Sequence, residues 1–517
     1  MSRDWEFTEA DRRDLAGRGI SEAEARRQLA LLANPPGHVQ LARPCTAGDG
    51  IERLAEARLP ALHEAHARAA RSGAVSVFVP ASGAATRMFK DLLAALASAD
   101  PLFPGAVRTA AAAGAPSARA VAEWVEGLPR FAFHDALAAT LAAGGRSLEE
   151  LRGHGPWRPL LEALLEPGGL DYARLPKGLL EFHREPGEPR ARTAFAEHLE
   201  EAVALARDGA GLCRAHFTVS PEHRGRFEEL LATLAPALEA RTGAAFGVAF
   251  SEQHPDTDTL AADPAGGPFR DAAGRLLYRP SGHGALLRNL QDSGGDLVFV
   301  KNVDNVAAAR LRPETLKWSR ALVGLAAELR GRVTRLVERL ADARDADAAP
   351  QARAFALETF GRADAPSGRE ALGAWLDRPL RVCGMVPNTG EPGGGPFWVR
   401  GRDGRVTRQV VEAAQVDTGS DSQAAFLAAA THFNPVFFAC ALRGADGRPH
   451  RLADYVDPGA VIVTRRSAGA RDLLALERPG LWNGAMAEWN TVFVEVPLAV
   501  FNPVKTVLDL LRPEHQP

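Results

Sequence analysis

From residue 172 onward, short apolar runs alternate with longer amphipathic stretches, and this alternation restricts the fold more than any other feature of the chain. TAFAEHLEEAVALAR reads as a helix, LCRAHFTVS as a strand, EHRGRFEELLATLAPAL as a helix, and AFGVAFSEQ and GDLVFVKNVDN as strands. Strands alternating with helices imply parallel neighbours, and a parallel sheet needs cover on both faces. The expectation is a mixed α/β fold: a mostly parallel sheet flanked by helices. The run VSVFVP, 75–80, supplies a further strand, with a helix expected over 86–97.

Two stretches break the alternation. Residues 100–170, rich in Ala, Leu and Arg with Pro and Gly breaks, read as a helical insertion, and so do residues 306–378. Strand-like segments resume at RPLRVCGMV, FWVRG and VTRQVVEAAQV, and NTGEPGGGP, 388–396, has the composition of a loop or hairpin. The last strand, NTVFVEVPLAVF, leads into NPVKTVLDLLRPEH, which is expected to be a terminal helix. The first seventy residues are mostly helical: Thr8 can cap one helix, and Ser21-Glu22-Ala23-Glu24 has the pattern of a capping box for the next. No internal repeat is visible.

A chain of 517 residues is too long for one simple core. Three consecutive segments are expected: helical 1–72, a central 73–440 that carries both insertions, and 441–517. Hydrophobic residues make up 46% and charged residues 24%, and 61 basic against 64 acidic residues leave a net charge of -3. That balance gives no general drive toward nucleic acid or an anionic membrane. No apolar run approaches the roughly 18 residues of a membrane span. MSRDWEFTEADRRD has charges where a signal peptide has its apolar core, so a cytoplasmic protein is expected. Cys45, Cys213, Cys383 and Cys440 lie far apart with no CxxC pair, which disfavours a zinc site, a disulfide framework and a catalytic thiol.

Ligands of open α/β sheets bind beyond the carboxyl ends of the strands, and several polar groups fall there. The strand VSVFVP leaves through Ala81-Ser82-Gly83-Ala84-Ala85 and reaches Thr86-Arg87. This is either a tight turn or a loop whose backbone N–H groups approach phosphate, with Arg87 as a planar fork; it is not GxxxxGK(S/T). Asn302-Val303-Asp304-Asn305 ends the strand LVFVK, and Asp304 suits either Mg²⁺ or a helix N-cap. Gly282-His283-Gly284 sets an imidazole on a backbone with little bulk, as a planar base or a plain turn would both allow. Lys177 in LPKGLL and Lys505 in FNPVKTVLDLL lie at element boundaries, where lysines are usually solvated; they matter together only if the fold brings them to the same phosphates.

Taken in order, these motifs resemble a family. PASGAATRM is similar to the LAGGxGTRM loop of nucleotidyltransferases, with Ser82 and Ala85 in place of glycines. FSEQHP, RPSGHG, KNVDN, VVEAAQV and THFNP resemble successive motifs of the UDP-sugar pyrophosphorylases, and FNPVKTVLDLL resembles their FLPVKT-x-x-DLL signature. The shared order covers roughly residues 75–511. The chain as a whole most resembles a bacterial family described as a domain of unknown function, through RPCTAGDGI, PKGLLEFH, GEPGGGPFWV and LWNGAM.

The resemblance implies a nucleotidyltransferase (GT-A-like, Rossmann-like) fold, with 73–440 as its catalytic domain and 441–517 completing the site. It implies that Ala81, Ser82, Gly83, Ala84, Ala85 and Thr86 wrap the nucleotide, and that Arg87 binds its β- and γ-phosphates. Gln253, Gly282 and His283 would line base and ribose. Asp304 would hold Mg²⁺. Asn302, Gly384, Glu412 and Asn434 would face the acceptor. Lys505, and Lys177 by likeness to the PK-x-LLP lysine, would reach the phosphates. The expected partners are an NTP, UTP by resemblance, and a sugar 1-phosphate or similar phosphorylated acceptor. Such a reaction needs positioning and charge neutralisation more than acid–base chemistry. Two departures stand out: the Cβ atoms of Ser82 and Ala85 narrow the loop, and the insertion between Arg87 and Lys177 is long. A silent nucleotide-sugar binder and a glycosyltransferase are the alternatives. The latter usually carries a DxD metal motif, and Asp256-Thr257-Asp258 matches that pattern within a polar turn.

Overall fold

The computed structural model describes residues 5–98, 100–188, 190–390, 393–469 and 471–517. Met1 to Asp4 of the N-terminal stretch, and Glu391 and Pro392 of the GEPGGGP segment, lie outside the described residues. The chain divides into two compact units. The first combines Met1–Phe78, Ser251–Val300 and Ser319–Leu498; the second combines Val79–Phe250, Lys301–Trp318 and Ala499–Pro517. These units cut across the consecutive segments 1–72, 73–440 and 441–517, because strands distant in sequence pair with one another.

The first unit contains strands in the order Thr46–Ala47, Gly50–Glu52, Asn490–Glu495, Leu380–Pro387, Phe437–Ala441, and then the greater part of Leu297–Lys301 and of Val75–Pro80. The expected mostly parallel α/β sheet is present. Cys383 lies beside Phe493 in a parallel pair and beside Phe438 in an antiparallel one, and Val298 lies parallel to Ser76. A strand buried on both faces needs an unbroken apolar run, and Leu297–Lys301 is buried at every position. Phe78, Val298, Val300, Cys383, Phe438 and Phe493 meet in one core cluster. The segment FWVRG and its partner form a separate antiparallel layer, Gly394–Arg400 against Val406–Glu412, with Gly394 opposite Glu412.

The N-terminal helices start where the caps predicted. Glu9–Arg18 follows Thr8, whose side chain and that of Asp11 cap each other's backbone reciprocally. Glu22–Ala33 follows Ser21, whose hydroxyl accepts from the Glu24 N–H at 3.1 Å.

In the second unit, Leu212–Val219 pairs with the Ala245–Glu252 strand. Phe195 on the helix Ala194–Ala206 packs edge-on against Phe217 and Phe227. The 100–170 insertion is helical as expected: Pro104–Ala112, Pro116–Gly127, His134–Ala143, Leu148–Gly153 and Arg158–Leu165. Gly127 abuts Leu511, so closely that a Cβ there would lie 2.6 Å from the Leu511 methyl. The insertion thus packs on the C-terminal segment. The helix expected over 86–97 is shorter, a single turn Ala85–Arg87 followed by Lys90–Leu96. The expected terminal helix is absent: the segment forms two tight turns, Val507–Leu511 and Pro513–His515. Asp509 accepts the N–H groups of both Lys505 and Thr506, which closes the first turn locally, and Pro513 blocks its continuation.

Candidate functional site

In the second unit, the loop after Val75–Pro80 is clamped at both ends. The Ala81 N–H donates to the Thr218 carbonyl at 2.9 Å and the Ala85 N–H to the Leu175 carbonyl at 3.0 Å. Between them, the N–H groups of Ser82, Gly83 and Ala84 have no intrachain partner among the described residues. Three successive unbonded amides on an exposed turn can receive an anion. The Ala85 methyl is fully buried, so it takes no room from the open side of the loop. A Cβ on Gly83 would meet nothing within 4 Å. The Thr86 hydroxyl donates to the Ala173 carbonyl at 3.2 Å. Arg87 is exposed, and its guanidinium has no hydrogen-bond or ion-pair partner among the described residues.

The same loop is tied to Lys177. The Lys177 N–H faces the Gly83 carbonyl at 3.4 Å, and Ala84 bridges Pro176. Gly178 lets this turn press on the Phe227 ring, where a Cβ would come within 2.9 Å. The Lys177 Nζ then lies 2.7 Å from Asp304 Oδ2 and donates to the Val504 carbonyl at 2.6 Å. Two further bonds lock NVDN to FNPVK: the Val504 N–H donates to the Asp304 carbonyl at 3.0 Å, and the Asn502 N–H to Asn305 Oδ1 at 2.8 Å. Lys505 follows directly. Burial holds its ammonium below the ordinary lysine pKa, with Asp304 and Asp509 opposing that shift and Lys177 adding to it. Lys177, Asp304 and Lys505 are therefore brought to one place, whereas Arg87 makes no hydrogen bond or ion pair with them. Asn302 serves the same turn through its carbonyl, which accepts from the Asn305 N–H at 3.1 Å.

The first unit holds a second cluster. His283 Nδ1 accepts from the Leu481 N–H at 3.0 Å, so its proton sits on Nε2 and points to Glu412 Oε1, 3.3 Å away. Asn483 Nδ2 donates to the same oxygen at 2.8 Å. The hydrogen bond from His283 holds the Glu412 carboxyl below its ordinary value, against the effect of burial. The imidazole stacks on Trp482 with ring centres 3.9 Å apart and planes 15° from parallel. Glycines make this approach possible: a Cβ on Gly284 would lie 2.3 Å from the Pro479 carbonyl, and one on Gly480 would lie 2.3 Å from the imidazole. Gly282, at φ +72°, begins the turn.

The other expected residues lie elsewhere. Gln253 donates to Asp258 Oδ1 at 3.3 Å and makes no hydrogen bond with His283. Gly384 is filled in by its neighbours, since a Cβ there would meet Phe437 and Val496 at 3.1 Å. Asn434 is 3% exposed. Its N–H donates to the Gly394 carbonyl, opposite Glu412, and its Oδ1 accepts from the Val436 N–H at 2.7 Å. Val436 adopts φ +54°, a strained value for a β-branched residue. The Asn434 Nδ2 is buried with no partner among the described residues. An orphaned buried donor is unfavourable by about 1–3 kcal/mol and invites a ligand acceptor. Both aspartates of the DTD stretch pair with arginines, Asp256 with Arg288 and Asp258 with Arg18. All four cysteines are free and buried, and burial pushes the Cys45 and Cys213 thiols up to about 12.

Trp482, Asn483 and Gln415 were not singled out from the sequence. Gln415 caps Glu412, accepting its N–H at 3.0 Å, and Asn483 reaches both residues. The signal lay in VVEAAQV and LWNGAM: each contains the residues, but only the glycine-mediated packing of the two loops joins them.

No described helix is long and apolar enough to cross a membrane. No curated protein matches the chain. Among solved structures it is similar to the uridine diphosphate N-acetylglucosamine pyrophosphorylase of Trypanosoma brucei, at 14% identity over 98% of this chain and 79% of that chain, with a TM-score of 0.47. It is also similar to the UDP-glucose pyrophosphorylase of Leishmania major, at 13% identity over 97% of this chain and 77% of that chain, with a TM-score of 0.44. A third similar structure is the UDP-glucose phosphorylase of Trypanosoma brucei, at 14% identity over 98% and 80%, with a TM-score of 0.45. The family described as Domain of unknown function (DUF4301) matches residues 8–516, the family likeness that RPCTAGDGI, PKGLLEFH and LWNGAM suggested, and the chain belongs to it.

Proposed function

We propose that this chain is a nucleotidyltransferase of the pyrophosphorylase type. An NTP and a phosphorylated acceptor, a sugar 1-phosphate in the first instance, give an NDP-linked product and pyrophosphate. The observation that carries this is the convergence of Lys177 and Lys505 on Asp304, with Lys177 held at the loop whose Ser82, Gly83 and Ala84 amides are unbonded. An acceptor phosphate oxygen attacks the α-phosphorus. A P–O bond forms, the bond to the bridging oxygen of the β-phosphate breaks, and its electron pair leaves with pyrophosphate. Both reactants are anions, so ammonium groups and amide dipoles at the transferred phosphate lower the barrier.

The residues present fit Mg²⁺ in one mode only. Among the described residues no group of three or more His, Cys, Asp or Glu could hold a metal, and Asp304 Oδ2 already faces Lys177. Mg²⁺ commonly takes one or two carboxylates and completes its shell with substrate oxygens and water. Asp304 is the residue we assign to it. When bound, the ion would supply charge neutralisation between nucleotide and acceptor phosphates. Lys177 and Lys505 orient and neutralise phosphate oxygens, and the loop amides hold the departing end.

We assign base and acceptor recognition to the His283, Trp482, Glu412 and Asn483 cluster and to Asn434. The flat imidazole–indole stack suits a planar ring, and Asn434 Nδ2 suits a hydroxyl oxygen. UTP is the first nucleotide to test, on the motif resemblance, and an NTP-consuming reaction fits the cytoplasm. The DTD pairs with arginines speak against a glycosyltransferase. Pyrophosphate release that requires both an NTP and a phosphorylated acceptor tests the proposal. Release without acceptor would mean hydrolysis, and no release with any of the four NTPs would remove it.

A further inference from the structure

A cavity of about 580 Å³ lies in the first unit, lined by Arg27, Arg288, Arg451, Arg478 and Asp256 together with Leu287. The volume is within the range of small-molecule sites. Its only acidic lining residue is Asp256, while four guanidiniums line the wall. Glu24, outside the lining, serves two of them, Arg27 at 2.7 Å and Arg478 at 3.2 Å, and Arg288 pairs with Asp256 and, at 3.8 Å, with Asp292. Arg478 is fixed in place: its Nε donates to the Thr257 carbonyl at 2.9 Å and its Nη2 to the Asp256 carbonyl at 3.2 Å. Burial holds its guanidinium below the ordinary pKa. Arg451 is the opposite case, with a side chain 80% exposed and anchored at one end by Asp454. Leu287 and the neighbouring Leu452 and Val456 give one side an apolar surface. Asp256 Oδ1 is buried with no hydrogen-bond partner among the described residues.

We propose that this cavity binds a phosphate monoester of about nucleoside monophosphate size. Planar guanidinium forks match phosphate oxygens in pairs. The apolar wall takes the body of the ligand, and a ligand hydroxyl satisfies Asp256 Oδ1. The site shares no residue with the Lys177–Asp304–Lys505 cluster and does not depend on the proposed transfer reaction. Gly284 and Pro479 belong to its wall, and the same two segments carry His283 and Gly480. A bound ligand therefore bears on the backbone that holds the imidazole.

The test is calorimetric titration of the full chain with AMP, adenosine and inorganic phosphate. AMP binds with a dissociation constant below about 1 mM, and adenosine and phosphate each bind at least about tenfold more weakly. Arg451→Glu, at a side chain too exposed to matter for folding, and Arg27→Gln each weaken AMP about tenfold or more. The proposal is overturned if AMP does not bind, if adenosine or phosphate binds as tightly, or if both variants bind AMP like the unmodified chain.

Discussion

Replacing Asp304 by Asn keeps the shape of the side chain and removes its charge. Lys177 then loses the carboxylate 2.7 Å away and retains only the Val504 carbonyl at 2.6 Å. The two side chains are 15% and 21% exposed, between a solvated and a buried pair. Exposed pairs contribute about 0–1 kcal/mol, whereas breaking a buried pair costs about 3–5 kcal/mol. About 2 kcal/mol is expected for Asp304→Asn, and a similar loss for Lys177→Met. In the doubly substituted chain neither member of the pair is left uncompensated, so its loss should fall short of the sum by about 1–2 kcal/mol. Urea unfolding of the four proteins measures this coupling, and pyrophosphate release measures turnover in parallel. Turnover should fall by about 100-fold or more in Asp304→Asn, as for the loss of one group that stabilises transition-state charge. Strictly additive stabilities together with turnover within about threefold of the unmodified chain would refute the assignment of this pair to the reacting phosphates.

Lys505→Ala should lower turnover about 100-fold while the unfolding midpoint moves by less than about 2 °C, since its backbone N–H keeps Asp509. Because burial lowers the Lys505 pKa in the folded state, the folded chain binds fewer protons than the unfolded one as pH approaches 10.5, and this residue's contribution to stability rises with pH there. Its ammonium is lost at lower pH than that of an ordinary lysine, so turnover should decline on the alkaline side, with Lys505→Arg shifting that decline upward. Glu412 has a lowered pKa, so its bond to His283 stabilises the fold above pH 4.5 and the benefit disappears as pH falls through the folded value. The melting difference between the unmodified chain and Glu412→Gln should thus shrink on acidification below pH 4.5, and a constant difference would contradict the pairing. Gly284→Ala should cost about 2 kcal/mol or more, since its Cβ would lie 2.3 Å from the Pro479 carbonyl, whereas Gly83→Ala, with nothing within 4 Å, should leave the melting point unchanged.

The parallel sheet was legible because buried strands such as LVFVK leave few alternatives. The convergence of Lys177, Asp304 and Lys505 was legible only through motif order, since their sequence separations carry no geometry. What fixes it is the pairing of NVDN with FNPVK, through Asn305 and Val504. The terminal segment misled because VLDLLRPEH has helical periodicity. Asp509 captures two amides of the preceding turn, and such side-chain-to-backbone bonds compete with helix formation. The resemblance of FSEQHP implies a base contact for Gln253, but Asp258, five residues on, takes its side chain. Trp482 escaped notice because an indole in a loop has many uses. Its stack on His283 depends on two glycines whose tolerance for close approach appears only in three dimensions. The concern that Ala85 would crowd a phosphate also turned on the fold, which buries that methyl.

The most direct measurement is a ³¹P spectrum of the protein incubated with UTP, Mg²⁺ and a panel of sugar 1-phosphates. Pyrophosphate and a UDP-linked diester should appear in equal amounts with one acceptor, and neither should appear with Asp304→Asn. Unchanged UTP with every acceptor, or inorganic phosphate in place of pyrophosphate, would contradict the proposed transfer.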